Sequence, residues 1–184
     1  MILKFTFFWL NLFFKSLVKM EEHSVVISLG TNLGDKLKNL KNALNNIEVF
    51  GIILNKSRIF CSDPWGYDSE NEFLNMGIFI KTSLEPIQLL KKLKSIEKQM
   101  GRGLKMVESY QDRIIDLDIL IYRGFAICND ELTIPHPKIK ERKFSLLILK
   151  DLFDNEFIPD LNDSPDKMLL KCIDESNVVL FNEK

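Results

Sequence analysis

Histidine and cysteine are scarce in this chain of 184 residues. Histidine occurs only at His23 and His136, which excludes a histidine-rich zinc site. The cysteines Cys61, Cys128 and Cys172 are odd in number and widely spaced, and no Cys-x-x-Cys occurs. This usage favours reduced thiols over a disulfide framework, so we expect a cytoplasmic protein.

Net charge is also nearly absent. The formal net charge is −1 at pH 7, so no overall field favours nucleic acid or an anionic membrane surface. Lysine carries most of the positive charge, and arginine is confined to Arg58, Arg102, Arg113, Arg123 and Arg142. The length and the ordinary apolar and charged fractions fit one globular domain with an ordinary core.

Strongly apolar sequence is concentrated at the N-terminus. Residues 5–14 lie between Lys4 and Lys15 and are fewer than the about 20 residues that a membrane span needs. No small-x-small cleavage site follows, as a signal peptide would require, and Met20 opens a sequence that needs nothing before it. We interpret residues 1–19 as an extension outside the fold, which results from an over-extended start codon or forms a weak membrane anchor. Residues 20–184 are interpreted as a single domain.

Two carboxylates interrupt the most apolar, β-branched run of the remaining chain, residues 113–122 (RIIDLDILIY). This run predicts a central strand, in which Asp116 and Asp118 share one face, roughly 6.5–7 Å apart, while Leu117 and Ile119 face the core. A divalent cation would explain the pairing, because Mg²⁺ prefers carboxylates together with substrate phosphates. An edge strand with one wet face, where Asp-x-Asp is an accident, stays open as the alternative.

The order of the elements indicates the fold class. Strands are predicted at residues 23–29, 52–61, 73–82, 113–122 and 178–181. Helices are predicted at residues 37–49, 86–100, 144–152 and within 166–174. Residues 101–112 form a long polar loop, a candidate lid. This order predicts an α+β, ferredoxin-like split βαβ sandwich, a mainly antiparallel sheet with helices on one face and with the first and the Asp-bearing strands side by side at its centre.

Several separated motifs resemble one family. They are Leu29-Gly30-Thr31-Asn32-Leu33-Gly34, Asp63-Pro64-Trp65-Gly66, Phe73-Leu74-Asn75, Gly101-Arg102, Arg113-x-x-Asp116-Leu117-Asp118-Ile119-Leu120, and Pro135-His136-Pro137 leading to Arg142. In this order they resemble 6-hydroxymethyl-7,8-dihydropterin pyrophosphokinase of folate biosynthesis. The resemblance implies transfer of diphosphate from ATP to a pterin alcohol, with release of AMP.

The resemblance also implies the phosphate-side residues. Asp116 and Asp118 would hold two Mg²⁺ ions, and Arg102 and Arg113 would complete the catalytic set. The implied ATP-binding residues are Glu97, Arg102, Lys105, Tyr110, Arg113, Ile119, Thr133, His136 and Arg142. Of these, Glu97 is expected to be exposed on its helix by pattern. Arginine suits this task because its planar fork matches phosphate oxygens.

A flat heterocycle needs aromatic faces and an in-plane amide. By resemblance, Phe73 and Phe144 would stack on the pterin, and Asn75 would bond its pyrimidine edge. The implied pocket wall consists of Ser62, Asp63 and Trp65.

The chain departs from the family pattern mainly before the Asp-bearing strand. Tyr110-Gln111-Asp112-Arg113 stands where aromatic-Gly-Pro-Arg is common, and Leu104 precedes Lys105 where a second arginine is common. Trp65 and Asp63 replace a smaller apolar residue and a proline. These departures affect the lid and the pocket rim, not the reaction class.

Two rival functions share the predicted fold or the Asp pair. An RNA-binding module with an aromatic sheet face is disfavoured by near-neutral charge and by the carboxylates. A phosphotransferase acting on another alcohol is disfavoured by Asn75 and its aromatic neighbours. We therefore expect pterin and ATP as partners, no nucleic acid, no stable membrane association and a monomer.

Overall fold

The computed structural model describes residues 21–101 and 112–182. The predictions for residues 1–19 and for Arg102, Lys105 and Tyr110 therefore fall outside the described residues. No helix within the two described ranges is long and apolar enough to cross a bilayer.

Eight strands and four α-helices form the described framework. The strands are β1 (His23–Thr31), β2 (Ile52–Lys56), β3 (Phe60–Ser62), β4 (Phe73–Thr82), β5 (Asp116–Tyr122), β6 (Ile127–Cys128), β7 (Thr133–Ile134) and β8 (Val178–Leu180). The helices are α1 (Lys36–Ile47), α2 (Pro86–Gln99), α3 (Lys143–Phe153) and α4 (Pro165–Lys171), with a 3₁₀ turn at Pro159–Leu161. The Asp35 carboxylate starts α1 by accepting from Lys38 N at 3.0 Å, as an N-cap residue does.

The main sheet has the strand order β5-β1-β4-β3-β8, with β2 also paired to β4, and its pairings are antiparallel. The predicted α+β split βαβ class is confirmed. The predicted pairing of the first and Asp-bearing strands is confirmed too, because Gly30 lies opposite Asp116 and Ser28 opposite Asp118.

The prediction that the Asp-bearing strand is central is wrong. Within residues 21–101 and 112–182, strand β5 pairs only with β1, so it is the edge of the described main sheet. Its free edge is nevertheless satisfied locally, because Glu97 Oε1 accepts from Leu117 N at 2.8 Å and Leu120 O accepts from His136 N at 2.9 Å. With these contacts, an edge strand can be as apolar as a central strand. Composition alone therefore could not distinguish the two positions.

Helices cover both faces of the sheet, whereas the sequence predicted one. Helices α1 and α2 pack on the face that carries Ile27, Leu117 and Ile119. Helix α3 packs on the other face, where Ile148 joins Val26 and other buried residues. The elements up to β5 complete the split βαβ unit, so their order gives no information on where a later helix packs.

The predicted strand over residues 52–61 is broken into β2 and β3. At the break, Ser57 N donates to Gly77 O at 2.9 Å and Ser57 Oγ accepts from Gly77 N at 2.8 Å. The side-chain hydroxyl thus replaces a backbone acceptor, and the strand resumes at Phe60. Ser62 consequently ends β3, one residue beyond the predicted strand limit at residue 61.

Candidate active site

One pocket opens over the ends of β1, β4 and β5, on the face that carries α3. Its lining residues are Ser28, Gly30, Ser62, Asp63, Trp65, Tyr67, Phe73, Asn75, Arg113, Asp116, Asp118, Arg142 and Phe144. The six predicted pterin-side residues and the Asp pair all belong to this set. The sequence therefore identified residues that the fold brings together from distant positions.

The half of the pocket around Asp116 and Asp118, called the phosphate half after the expectation from the sequence, contains two carboxylates and two arginines. Arg113 Nη1 lies 2.8 Å from Asp116 Oδ2, and Arg142 Nη1 lies 3.6 Å from Asp118 Oδ2. His136 Nε2 lies 3.9 Å from the same Asp118 oxygen, too far for a direct hydrogen bond. The two arginines thus balance the charge of the two aspartates.

The electrostatics of this half are set by burial and by neighbouring charges. Burial, followed by the charge of Asp116, raises the pKa of Asp118 well above its ordinary range. Burial, followed by the charge of Arg142, lowers the pKa of His136 to about 4. His136 is therefore neutral at pH 7, and because its Nδ1 accepts from Lys138 N at 3.1 Å, its proton resides on Nε2 towards Asp118.

The residues present fit Mg²⁺. Two carboxylates on one strand face supply hard oxygen ligands, and Mg²⁺ is commonly held by one or two carboxylates plus substrate phosphates and water. Within the described ranges no cluster of three or more His, Cys, Asp or Glu side chains suited to a metal occurs. A site completed by substrate phosphates needs no such cluster.

The ring half of the pocket is organised around Asn75. The side chain is buried, and its Nδ2 donates to Ser62 Oγ at 2.9 Å. Gly30 lies opposite Asn75 in the sheet, and a Cβ at Gly30 would come within 3.1 Å of Asn75 Oδ1 and 3.7 Å of the Phe73 ring. The absence of a side chain on β1 therefore leaves room for the amide and the ring.

The rim of the pocket carries a stacked cation. The Arg142 guanidinium lies 4.8 Å from the Trp65 ring centroid and 5.9 Å from the Phe144 ring centroid. Trp65 is one of the positions where the sequence departs from the family pattern, and the structure gives it a cation–π contact that a smaller apolar residue could not make. Asp63 is fixed by the C-terminal segment, because Asp63 N donates to Asn177 O at 3.3 Å.

Four of the predicted ATP-side residues that the structure describes lie outside the pocket lining: Glu97, Ile119, Thr133 and His136. The expected exposure of Glu97 is wrong: the residue is only 5% exposed, because its carboxylate turns inward to accept from Leu117 N. The Ile119 side chain is buried in the core beneath α1 and α2, and Thr133 is half-buried in β7. Helical periodicity could not show the inward turn, since an unpaired strand N–H is a tertiary feature.

Ser28, Gly30 and Tyr67 line the pocket without having been singled out as site residues. Ser28 and Gly30 alternate with the buried Ile27 and Leu29 on β1, so strand parity was a usable signal for them. Tyr67 gave no such signal, because its position depends on the irregular loop between β3 and β4.

The fold and the pocket together indicate a class of protein, and known relatives support it. A split βαβ sandwich with a charged half and an aromatic half in one pocket is the architecture expected of a phosphotransferase with a flat heterocyclic substrate. The sequence model of 7,8-dihydro-6-hydroxymethylpterin-pyrophosphokinase (HPPK) matches residues 26–154. The chain belongs to the HPPK family.

Named relatives agree. The chain is 35% identical to 2-amino-4-hydroxy-6-hydroxymethyldihydropteridine pyrophosphokinase of Aquifex aeolicus, across 74% of this chain and 84% of that protein. It is 37% identical to the folic acid synthesis protein FOL1 of Dictyostelium discoideum, across 84% of this chain. That match spans only 23% of the Dictyostelium protein, and a match to a folate synthesis bifunctional protein of Arabidopsis thaliana spans 30% of it.

The fold also matches solved structures. A crystal structure of Plasmodium falciparum HPPK-DHPS superposes with a TM-score of 0.66 at 18% identity, covering 82% of this chain and 44% of that one. At this identity the match supports the fold alone.

Proposed function

We propose that this chain transfers a diphosphate group from ATP to the hydroxymethyl group of 6-hydroxymethyl-7,8-dihydropterin and releases AMP. The observation that carries the proposal is the lining of one pocket by the Asp116–Asp118 pair together with Asn75 and the rings of Phe73 and Phe144. Family membership and the Aquifex relative support the same reaction. We place the reaction in the cytoplasm and assign it to a monomer, and the three free thiols agree with a reducing compartment.

The ring half binds the pterin. Asn75 Oδ1 remains available to accept from the pyrimidine edge, because the Ser62 contact uses only Nδ2. Phe73 and Phe144 bind the ring faces, with Ser62, Asp63 and Trp65 as the surrounding wall. The chemistry of this half is orientation: it holds the hydroxymethyl oxygen towards the two aspartates.

The phosphate half binds ATP through arginine. Arg113 and Arg142 already contact the two aspartates, so both are positioned to turn their forks to phosphate oxygens once those carboxylates bind cations. His136, whose Nδ1 already accepts from Lys138 N, carries a proton on Nε2 that it can donate to a phosphate oxygen. Arg102, Lys105 and Tyr110, outside the described residues, would complete this half, with Thr133 nearby on β7.

The reaction itself is an in-line displacement. The hydroxymethyl oxygen forms a bond to the β-phosphorus, the bond from that phosphorus to the oxygen bridging the α-phosphorus breaks, and AMP leaves with the electron pair. The hydroxyl proton is lost, and the Asp118 carboxylate, which lines the same pocket, is the nearby group able to accept it. Two Mg²⁺ ions held by Asp116 and Asp118 would neutralise the phosphate charge.

Glu97 is a positioning residue in this scheme. Its carboxylate holds the backbone N–H of Leu117, the residue between the two aspartates, from the open edge of β5. It therefore fixes the strand on which both carboxylates stand. Ile119 supports the same strand from the core side.

A coupled assay for AMP tests the proposed reaction. Full-length protein with ATP, Mg²⁺ and 6-hydroxymethyl-7,8-dihydropterin should release AMP in step with pterin diphosphate, whereas release of ADP would indicate a simple kinase and contradict the proposal. Asp118→Asn should abolish turnover with an unchanged circular dichroism spectrum. The exposed carboxylate of Asp130, in the β6–β7 turn away from the pocket lining, provides the matched control Asp130→Asn.

A further inference from the structure

Three segments of the chain meet at the carboxylate of Asp112, just before β5. Asp112 Oδ1 accepts from Asn32 Nδ2 at 2.7 Å and from the Tyr67 hydroxyl at 3.1 Å. Asp112 Oδ2 accepts from Asn71 Nδ2 at 2.6 Å. One side chain therefore joins the end of β1 and two points of the loop over residues 63–72.

The same network fixes the backbone of Arg113. Asn32 Oδ1 accepts from Arg113 N at 2.7 Å, and Asn32 N donates to Arg113 O at 3.1 Å. Asn32 is only 3% exposed, so these bonds are shielded from competing water. Because Asn32 uses its oxygen for Arg113 and its amide nitrogen for Asp112, the two neighbouring residues are held by one side chain.

The loop side of the network reaches the ring half of the pocket. Tyr67 lines the pocket, and its ring meets the Phe73 ring edge-on, with centroids 6.5 Å apart and an interplanar angle of 86°. Asn71 O also accepts from Asn32 Nδ2, at 3.3 Å. A shift of the Asp112 carboxylate would therefore move the wall beside the proposed pterin site and the backbone of Arg113 together.

A carboxylate is the group that this position requires. Asn32 and Asn71 present amide N–H groups and Tyr67 presents a hydroxyl, so each partner can donate to an acceptor-only side chain. A hydrogen bond from the Ser69 hydroxyl, followed by these three bonds, lowers the pKa of Asp112 to about 2 despite some burial. An asparagine at 112 would have the same shape but would present an N–H to a donor.

We propose that Asp112 is a positioning residue that locks the 63–72 loop, which carries Tyr67, to the Arg113 backbone and so fixes the ring half of the pocket relative to its phosphate half. The identities of the two ligands rest on the proposed function, but the mechanical link does not. The link stands at the point where the sequence departs from the Gly-Pro pattern of the family. At this point, hydrogen bonds rather than a proline restrict the backbone.

Residue-resolved amide exchange on the ligand-free protein tests the link directly. Asp112→Asn should accelerate exchange across residues 63–72 and at the Arg113 amide by about tenfold, the scale of one lost hydrogen bond to a charged group. Asp130→Asn should leave both regions unchanged. Acceleration that stays at residues 112 and 113 and spares the 63–72 loop would overturn the proposal.

A double-mutant cycle separates the link from general destabilisation. Asp112→Asn and Asn71→Ala should each raise the dissociation constant of 6-hydroxymethyl-7,8-dihydropterin by about tenfold, and the double variant should be little worse than either single one. Binding of a non-hydrolysable ATP analogue should change less. Additive effects of the two substitutions would contradict a shared network.

Different results would refute the proposed function and the proposed role of Asp112. A wild-type chain that binds no 6-hydroxymethyl-7,8-dihydropterin would refute the proposed function, while the exchange rates of the ligand-free protein would still decide the role of Asp112. Should Asp112→Asn unfold, Asn71→Ala removes one arm of the network and is subject to the same exchange criterion. Unchanged exchange at residues 63–72 in that variant would also count against the link.

Discussion

Arg113 and Asp116 form a 2.8 Å ion pair between the residue that enters β5 and the first residue of the strand. Both side chains are mostly buried, 16% and 25% exposed, so the pair is only weakly screened. The pair orients the arginine fork at the mouth of the pocket before any ligand arrives. On ligand binding, phosphate oxygens would replace the Asp116 carboxylate as the partner of an arginine that is already oriented towards the pocket.

Substitution of that arginine by lysine should therefore cost activity although charge is kept. Arg113→Lys loses the forked geometry, and we expect AMP release to fall by about 10- to 100-fold, with little change in melting temperature. Arg123→Lys is the matched control, because Arg123 packs over the Phe79 and Phe153 rings and does not line the pocket. Equal losses in both variants would count against a specific role for the Arg113 fork.

Gly30 should control the ring half of the pocket. In Gly30→Ala, the new Cβ would lie 3.1 Å from Asn75 Oδ1, closer than most natural contacts, so the amide must shift. We expect pterin affinity to fall by about tenfold, roughly the value of one hydrogen bond to a buried amide. Isothermal titration with pterin and, separately, with a non-hydrolysable ATP analogue measures the effect, and a parallel loss of nucleotide affinity would show that the change is not local.

Acid should weaken the fold partly through Asp112. Hydrogen bonds hold the pKa of Asp112 at about 2 in the folded protein, below its value of 3.8 in the absence of such bonds. A depressed folded-state pKa stabilises the protein above pH 3.8, and this contribution is lost as the pH falls towards 2. Urea unfolding at several pH values should show a shallower loss of stability in Asp112→Asn than in wild type over this window. Identical slopes would mean that Asp112 does not carry the effect.

The sequence predicted which residues share the pocket better than it predicted where β5 lies in the sheet. Strand parity is a local property, and the family motifs add the spacing between the strands. Together they could place four residues in one pocket: Asp116, Asp118, Asn75 and Phe73. The edge position of β5 could not be predicted in the same way, since an apolar strand whose free edge is covered has the composition of a central one.

The parts that the sequence missed depend on contacts between distant segments. Glu97 was expected at the surface, but it reaches a strand N–H that no helical pattern can reveal. Asp112 was recognised only as a departure from the family pattern, because its partners Asn32, Tyr67 and Asn71 come from other parts of the chain. Hydrogen-bond networks that join loops leave no periodic signal.

Close packing of α3 against the sheet gives the last prediction. Gly77 lies on β4 beneath the helix, and a Cβ at this position would clash with Ile148 Cγ2 and lie 3.3 Å from Leu152 Cδ1. Gly77→Ala should therefore force α3 outward and lower the free energy of unfolding by about 1–3 kcal/mol, the usual cost of overpacking a core. Because α3 carries Phe144 at the pocket, pterin affinity should fall as well. Ile148→Ala removes the clashing methyl group, so the double variant should be more stable than the sum of the two single effects predicts. Thermal and urea unfolding of the four proteins measure this, and strict additivity would show that Gly77 and Ile148 do not share the strain.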